Sequence, residues 1–307
     1  MTTNRNASRS GSIWAWFRKA IVRTVIGYGV IILVLALLQR KLMYHPMVAD
    51  QIRPPIVDGH VVEPIETTTE DGITLHGWYW RAVGRDVNRP VVVLFHGNAG
   101  NRTHRSYDCE LFSKCGCDTV LFDYRGYGEN AGNPTEDGLT LDARAIWNFT
   151  TSELDISPNR IILFGASLGG GVSVRLAAEQ SAAGNPPAGL MLRCTFLSMV
   201  DAASYNYPWL PVKWVLVDRY PSDQHAPDVA CPVLQMHGNA DSLVPFESGQ
   251  NLFHVFPEQA TCGQEKRFVE LDGATHQGIL RTHYPEVLAS TRRFINDITA
   301  NKQSASE

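Results

Sequence analysis

The chain has little charge and no excess of either sign. Only 19% of its 307 residues are Asp, Glu, Lys or Arg, and 27 basic against 31 acidic residues leave a net charge of −4. Such a balance offers no polycationic face to a nucleic acid or a polyanionic substrate, so no nucleic-acid partner is expected. Internal repeats and low-complexity runs are also lacking, which argues against solenoids, propellers and fibrous folds. Cysteine is scarce. Cys109, Cys115, Cys117, Cys194, Cys231 and Cys262 show no zinc-site spacing, and the chemistry below requires no metal or organic cofactor. An even number of cysteines suits an oxidising compartment, but six allow fifteen pairings or none. Cys194 and Cys231 lie in apolar strand-like runs, where a buried free thiol is the simpler reading.

Charge is sparsest near the N-terminus. Met1 to Ser12 is polar and reads as disordered, and Trp14, Trp16 and Phe17 then precede Arg18 and Lys19. Ile21 to Leu38 is apolar apart from Arg23, Thr24 and a few small residues, and Arg40 and Lys41 close it. The uncharged part, Thr24 to Gln39, would span about 24 Å as a helix, short of a ~30 Å hydrocarbon core unless Arg23 and Arg40 snorkel. A polar tail over 1–20, a transmembrane signal-anchor helix over 21–41 and a connector over 42–60 are expected. A cleaved signal peptide lacks an A-x-A-like site after Leu38, and a buried core helix would not be apolar all round. Arg5, Arg9, Arg18, Lys19 and Arg23 precede the core; Arg40, Lys41 and Arg53 follow it. This bias predicts a cytoplasmic N-terminus and, after the helix, a domain in the lumen of an endomembrane such as the endoplasmic reticulum; a cytoplasmic-facing domain is the alternative. The sequons at Asn101 and Asn148 matter only in the lumen, and Asn101 is expected in a functional loop of small residues, His96 to Asn101, where a glycan would not fit.

The remaining chain is long enough for one large domain, expected over 61–299 and followed by a disordered tail over 300–307. Val61 to Thr68 and Ile73 to Arg81 read as strands joined by the turn Glu70-Asp71-Gly72. Strands then alternate with helices. The strands are expected at Pro90–Phe95, Thr119–Asp123, Arg160–Phe164, Gly189–Cys194, Pro232–Met236 and Lys266–Leu271. The helices are expected at Thr103–Cys115, Pro134–Thr150, Leu168–Gln180, Pro245–Phe256 and Gln277–Thr299. Short, wholly apolar strands between helices predict an α/β fold with a mostly parallel central sheet covered on both faces. Functional loops of such a sheet gather at the carboxyl ends of its strands.

One of those ends carries Gly165-Ala166-Ser167-Leu168-Gly169, between an apolar strand and a helix. A serine on so tight a turn needs small neighbours, and the turn exposes its hydroxyl at a helix N-terminus. A serine hydroxyl also needs a base, itself oriented by a carboxylate. In enzymes with this strand–turn–helix serine the acid and then the histidine follow in sequence. Asp241 is the first carboxylate after the strand Pro232–Met236, and its competing role is a helix cap. Asp228 lies at the wrong end of that strand, and Asp201, Asp218 and Asp223 fall in the preceding excursion. His276 follows the strand Lys266–Leu271 in a loop, whereas His283 is expected two turns into the final helix. His96 and His237, each before a glycine at a strand end, read as structural; His45, His60, His76, His104, His225 and His254 lack a supporting partner. An oxyanion hole needs two backbone N–H groups. Leu168 supplies one, and the small-residue loop His96-Gly97-Asn98-Ala99-Gly100-Asn101 supplies the other, from Asn98 or, next, Ala99.

Five segments taken in order resemble the α/β-hydrolase fold superfamily: His96–Asn101, Asp123-Tyr124-Arg125-Gly126-Tyr127-Gly128, Gly165–Gly169, His237–Asp241 and Gly273–His276. The apolar N-terminus, the Glu70–Trp78 stretch and the HGNAGN loop resemble the single-pass, membrane-anchored α/β-hydrolase domain-containing group, related to serine aminopeptidase-like and dienelactone hydrolase-like proteins. The resemblance covers about Val61 to Ile298. It implies a serine hydrolase with Ser167 as nucleophile, His276 as base and Asp241 as acid, with His96, Gly97, Gly165 and Gly169 as structural motif residues. Similar proteins often carry an acidic residue where this chain has Arg193-Cys194, which concentrates the acid role on Asp241. Asp-nucleophile members of the fold, such as haloalkane dehalogenases and epoxide hydrolases, are argued against by Ser167.

The segment 196–230 has the only room for a lid, and Tyr205, Tyr207, Trp209 and Trp214 make it aromatic. Read as plain packing helices it says nothing of substrate. Read as an apolar wall it suits a lipid ester, another small acyl substrate or an S-acylated protein, reached from the membrane that holds the N-terminal helix. A serine aminopeptidase-like activity would need an anchor for the substrate amine, and none is identifiable. A non-catalytic binding scaffold would be expected to have lost part of the triad, yet each part has a candidate here.

Overall fold

Apolar runs too short for helices, bounded by Gly, Pro or Asp, form a sheet, and the longer amphipathic runs between them cover it. A computed structural model describes residues 7–57, 59–84, 86 and 88–305, with the backbone alone for 7–13 and 301–305. In chain order the elements begin with α1 (Ala7–Met43), β1 (His45–Pro46), β2 (Val61–Thr68), β3 (Thr74–Arg81), β4 (Val91–Phe95) and β5 (Ala99–Gly100). Then come α2 (Ser106–Lys114), β6 (Asp118–Phe122), α3 (Glu136–Asn148), β7 (Ile161–Ala166), α4 (Leu168–Ala182) and β8 (Gly189–Arg193). The chain continues through α5 (Met199–Asn206), α6 (Val212–Val215), α7 (Ser222–His225), β9 (Val233–Gly238), α8 (Phe246–Val255), β10 (Arg267–Leu271), α9 (Ile279–Thr282) and α10 (Tyr284–Ala305).

Eight strands form one sheet in the order β10-β9-β8-β7-β4-β6-β3-β2. The six strands from β10 to β6 run parallel, while β3 pairs antiparallel with both β6 and β2. β4 is buried on both faces. Val93 and Phe95 join the α3 and α4 side, and Val92 and Leu94 join the α2 and α10 side. From β4 the chain steps outward through α2 to β6, then returns across β4 through α3 to β7. The loops after β4 and β7 therefore part in opposite directions at the carboxyl edge, and such a switch point is where sheets of this kind bind their ligands.

Several boundaries differ from the sequence expectation. α1 occupies Ala7–Met43 rather than 21–41, so part of the expected tail 1–20 is helical; residues 1–6 lie outside the described residues. The helix stops where Pro46 disfavours helical geometry at the residue before it. The connector 42–60 is not wholly free, because β1 pairs in parallel with β5. The final helix is broken at His283, where Pro285 cannot continue a helix but fits the first turn of a new one. α10 runs to Ala305, past the expected tail boundary, since Asn301 to Ala305 contain no glycine or proline stop; residues 306–307 lie outside the described residues. The helix expected over Thr103–Cys115 opens with a separate 3-10 turn, Arg102–Arg105, capped by Asn101. That role buries Asn101, while Asn148 is exposed.

The segment 196–230 folds as α5, α6 and α7, called the cap below, and α1 lies against it. Tyr28 OH donates to Trp209 O at 2.6 Å, Gln39 Nε2 donates to Val215 O at 3.2 Å, and Val217 N donates to Gln39 Oε1 at 2.8 Å. The next residue, Arg40, pairs with Asp218 at 2.9 Å, and about one turn on the Tyr44 hydroxyl, buried, bonds to Asp218 and Tyr220.

Candidate active site

Strand β7 runs straight into α4, and the single residue between them is Ser167, at φ 52° and ψ −117°. A non-glycine residue there stores about 1–3 kcal/mol of strain, which the surroundings must hold. Ser167 N donates to Arg193 O at 2.9 Å, and Thr195 Oγ1 donates to Ser167 O at 2.9 Å. The flanking glycines are needed for close approach. A Cβ on Gly165 would sit 2.2 Å from Ser173 Oγ and 2.5 Å from Gly169 O; one on Gly169 would sit 2.0 Å from Phe95 O. The first turn of α4 thus presses on the end of β4, which brings the loop after β4 to the serine. A Cβ on Gly97 would be 3.6 Å from Ser167 Cβ.

Asp241 and His276 come from the loops after the neighbouring parallel strands β9 and β10. His276 Nδ1 lies 2.7 Å from Asp241 Oδ2 and donates to it, which leaves Nε2 of that imidazole as an acceptor. Asp241 Oδ1 accepts the N–H groups of Leu243 and Val244, both at 2.9 Å. The helix-cap alternative is thereby partly realised in the loop, while α8 itself begins at Phe246 after Pro245. Burial alone would raise the Asp241 pKa, but hydrogen bonds from His237 and His276 outweigh it and hold the carboxyl below the usual carboxylate range. Ser167 is half-buried, and its hydroxyl makes no hydrogen bond to His276 or to any other described residue. Catalytic hydrogen bonds often tighten only when substrate binds.

The N–H groups of Asn98 and Leu168 have no bonded acceptor among the described residues. The other polar groups of Asn98 are engaged. Its carbonyl accepts His45 N at 2.9 Å and Tyr127 OH at 2.7 Å, and its side chain donates to Met43 O at 2.8 Å. Met47 N donates to Gly100 O at 3.0 Å, and Asn101 Nδ2 donates to Met47 O at 3.1 Å. The segment after α1 therefore braces the loop that presents the Asn98 amide. His96, fully buried, donates Nδ1–H to Gly97 O at 2.8 Å and packs on Tyr124 and Tyr127. Burial pushes its pKa down to about 3, so the ring stays neutral.

Sequence reasoning missed two neighbours of Asp241. His237 Nε2 lies 3.1 Å from Val244 O and 3.4 Å from Asp241 Oδ2, so this strand-end histidine steadies the acid loop as well as filling space. The only sequence signal was its position four residues before Asp241. Cys194, at φ 48°, brings its sulfur within 4.8 Å of ligand-type atoms of His237 and Asp241. This trio could in principle hold a metal, but the Asp241 oxygens are already bonded by His276 and two backbone amides. Arg193, at the position where an acid was weighed, pairs instead with Asp108 at 2.6 Å. His283 lies in the turn between α9 and α10 rather than inside a helix, and its Nε2 donates to Asp272 O at 2.9 Å. The six cysteines are unpaired.

Topology and sequence together define the class: the chain belongs to the α/β-hydrolase superfamily, and within it is similar to proteins of the ABHD12 type. The family described as alpha/beta hydrolase fold matches residues 90–224. An uncharacterized Mycobacterium tuberculosis protein is 35% identical over 84% of this chain and 88% of its own length. The lysophosphatidylserine lipase ABHD12 of Danio rerio is 29% identical over 94% of this chain and 86% of its own. In fold, the Pyrococcus furiosus esterase Pf2001 aligns with a TM-score of 0.63 at 18% identity, covering 83% of this chain and 98% of the esterase. The chain is a hydrolase, and a serine nucleophile is the usual mechanism of such enzymes.

Proposed function

We propose that the chain is a membrane-anchored serine hydrolase that cleaves the acyl ester of a lipid, with a lysophospholipid the first substrate to try. Ser167 Oγ attacks the acyl carbonyl and His276 Nε2 takes its proton. Asp241 holds the imidazole in the required tautomer and offsets the charge it gains. The amides of Asn98 and Leu168 bind the oxyanion of the tetrahedral intermediate. The intermediate collapses as His276 returns the proton to the leaving alcohol, and water then releases the acyl group from Ser167 by the same steps. The observation that carries this reading is the 2.7 Å Asp241–His276 bond on the same sheet edge as a serine held at φ 52°. The ABHD12 relatives, by their name lipases of lysophosphatidylserine, support a lipid substrate.

α1 supports the anchoring. Trp14–Met43 is long and apolar enough to cross a membrane, and its most apolar window has none of its residues buried. The charge bias favours a lumenal domain, and a glycosylation shift at the exposed Asn148 tests it. For the chemistry, a fluorophosphonate probe should label the wild type and Ser106→Ala but not Ser167→Ala. Folded wild type that never labels overturns the proposal. An ester panel graded by chain length, with and without detergent, tests the lipid preference; a bias toward short soluble esters counts against it.

A further inference from the structure

α1 presents a length problem that its own cap resolves. The cap is hydrogen-bonded to Tyr28, Gln39 and Arg40, a stretch of about 18 Å along the helix axis. Only Trp14 to Gly27 is clear of those contacts, about 21 Å, which is shorter than a ~30 Å hydrocarbon core. Yet the docked stretch keeps apolar side chains open, with Leu33, Leu37 and Leu42 58%, 75% and 57% exposed. Lipid that covers those leucines must reach the turns of α1 on which the cap sits. At that level the cap shows the side chains such a position calls for: Trp214 is 89% exposed, and Tyr205, Tyr207, Trp209 and Val217 are all more than half exposed. Indole and phenol rings favour the zone where acyl chains meet headgroups.

We propose that the exposed face of the cap, centred on Trp209 and Trp214, is a membrane-contact surface that seats in a lipid bilayer beside α1. α1 and the cap then enter the membrane as one body. The inference rests on the reading of α1 as a membrane helix.

The test uses the full chain in phosphatidylcholine vesicles, with an environment-sensitive fluorophore on Trp214→Cys in a Cys262→Ser background. Leu33→Cys in the same background reports on α1. The native exposed Cys262, near the amino end of β9, serves as the aqueous control. The expected result at 214 is blue-shifted emission that is lost when the lipid carries brominated acyl chains, with no change at 262. Water-like, unquenched emission at 214 overturns the proposal: if position 33 is quenched, α1 remains a membrane helix and only the seating fails, and if it is not, both fail. A blue shift at 214 without bromolipid quenching also overturns it, because protein, such as a second copy of the chain, then covers the patch.

Discussion

Gly169→Ala is the sharpest test of how the elbow and the oxyanion loop are held together. The new methyl carbon would lie 2.0 Å from Phe95 O, 2.5 Å from Phe95 C and 2.7 Å from His96 O, all backbone atoms. No side chain can turn aside to relieve this. α4 and the end of β4 must separate by about 1 Å, the scale of misplacement that costs roughly 10²-fold in rate. The separation falls between the two amides assigned to the oxyanion, so kcat should drop by that factor with KM little changed. Overpacking costs about 1–3 kcal/mol, and the gain in helix propensity from glycine to alanine offsets about 1 kcal/mol. Gly171→Ala, two residues on, is the control. Its Cβ meets nothing closer than Tyr220 side-chain atoms at 3.1 Å, a tight contact relieved by a shift of a few tenths of an ångström that offsets the gain in helix propensity, so stability should change by less than about 1 kcal/mol and activity should stay within about threefold. Hydrolysis of a short soluble ester, with thermal melting alongside, reads both. A Gly169→Ala enzyme with wild-type kcat and melting temperature would refute the claim that this contact sets the active geometry.

Other substitutions probe separate parts of the site. In Asp241→Asn, the side-chain oxygen must stay with the Leu243 and Val244 amides, so the new NH₂ faces His276 Nδ1 and forces the wrong tautomer; kcat should fall by about 10⁴ with the fold intact. Tyr127→Phe deletes one bond to the Asn98 carbonyl at a fully buried ring, which should cost about 1 kcal/mol and lower kcat on a soluble ester about tenfold at unchanged KM. His96 should show no titration above about pH 4 by NMR, and a midpoint near 6 would contradict its burial. Because its folded pKa is depressed, its share of stability is complete above the unfolded pKa and is lost as pH falls from about 6.5 toward 3. That share is about 2 kcal/mol by pH 5, measurable from denaturation midpoints.

The parallel sheet was legible because its strands are continuous apolar runs bounded by turn residues, and β2 falls on its expected residues. The placement of the candidate residues Ser167, Asp241 and His276 was legible for a related reason: each follows such a run, so the parallel sheet carries all three to one edge. The unread contacts are those in which distant segments meet without any periodic signal. A two-residue strand such as β1 has no alternation to detect, and its partner is the glycine-rich stretch Ala99–Gly100. The Arg193–Asp108 pair is separated by 85 residues, and nothing local distinguishes Arg193 from a surface arginine. His283 reads as helical because the apolar pattern continues through it, and only Pro285, which cannot continue a helix, marks the break.

Composition separates the N-terminal helix from the hydrolase domain, but the hydrogen bonds join them. Over five residues, Met43 to Met47, the chain leaves α1, buries Tyr44 against the cap and lays a strand along the oxyanion loop. A passive tether would need none of these contacts. Buried polar contacts of this kind cost stability when half-satisfied and rigidify when complete. Here the Asn98 carbonyl and side chain, Gly100 O and the Tyr44 hydroxyl are all engaged. The Asn98 amide is thus held from behind by the segment that leads out of α1. If α1 lies in a membrane, the same segment fixes the height of Ser167 above it, so anchoring and the proposed oxyanion amide depend on one short piece of chain.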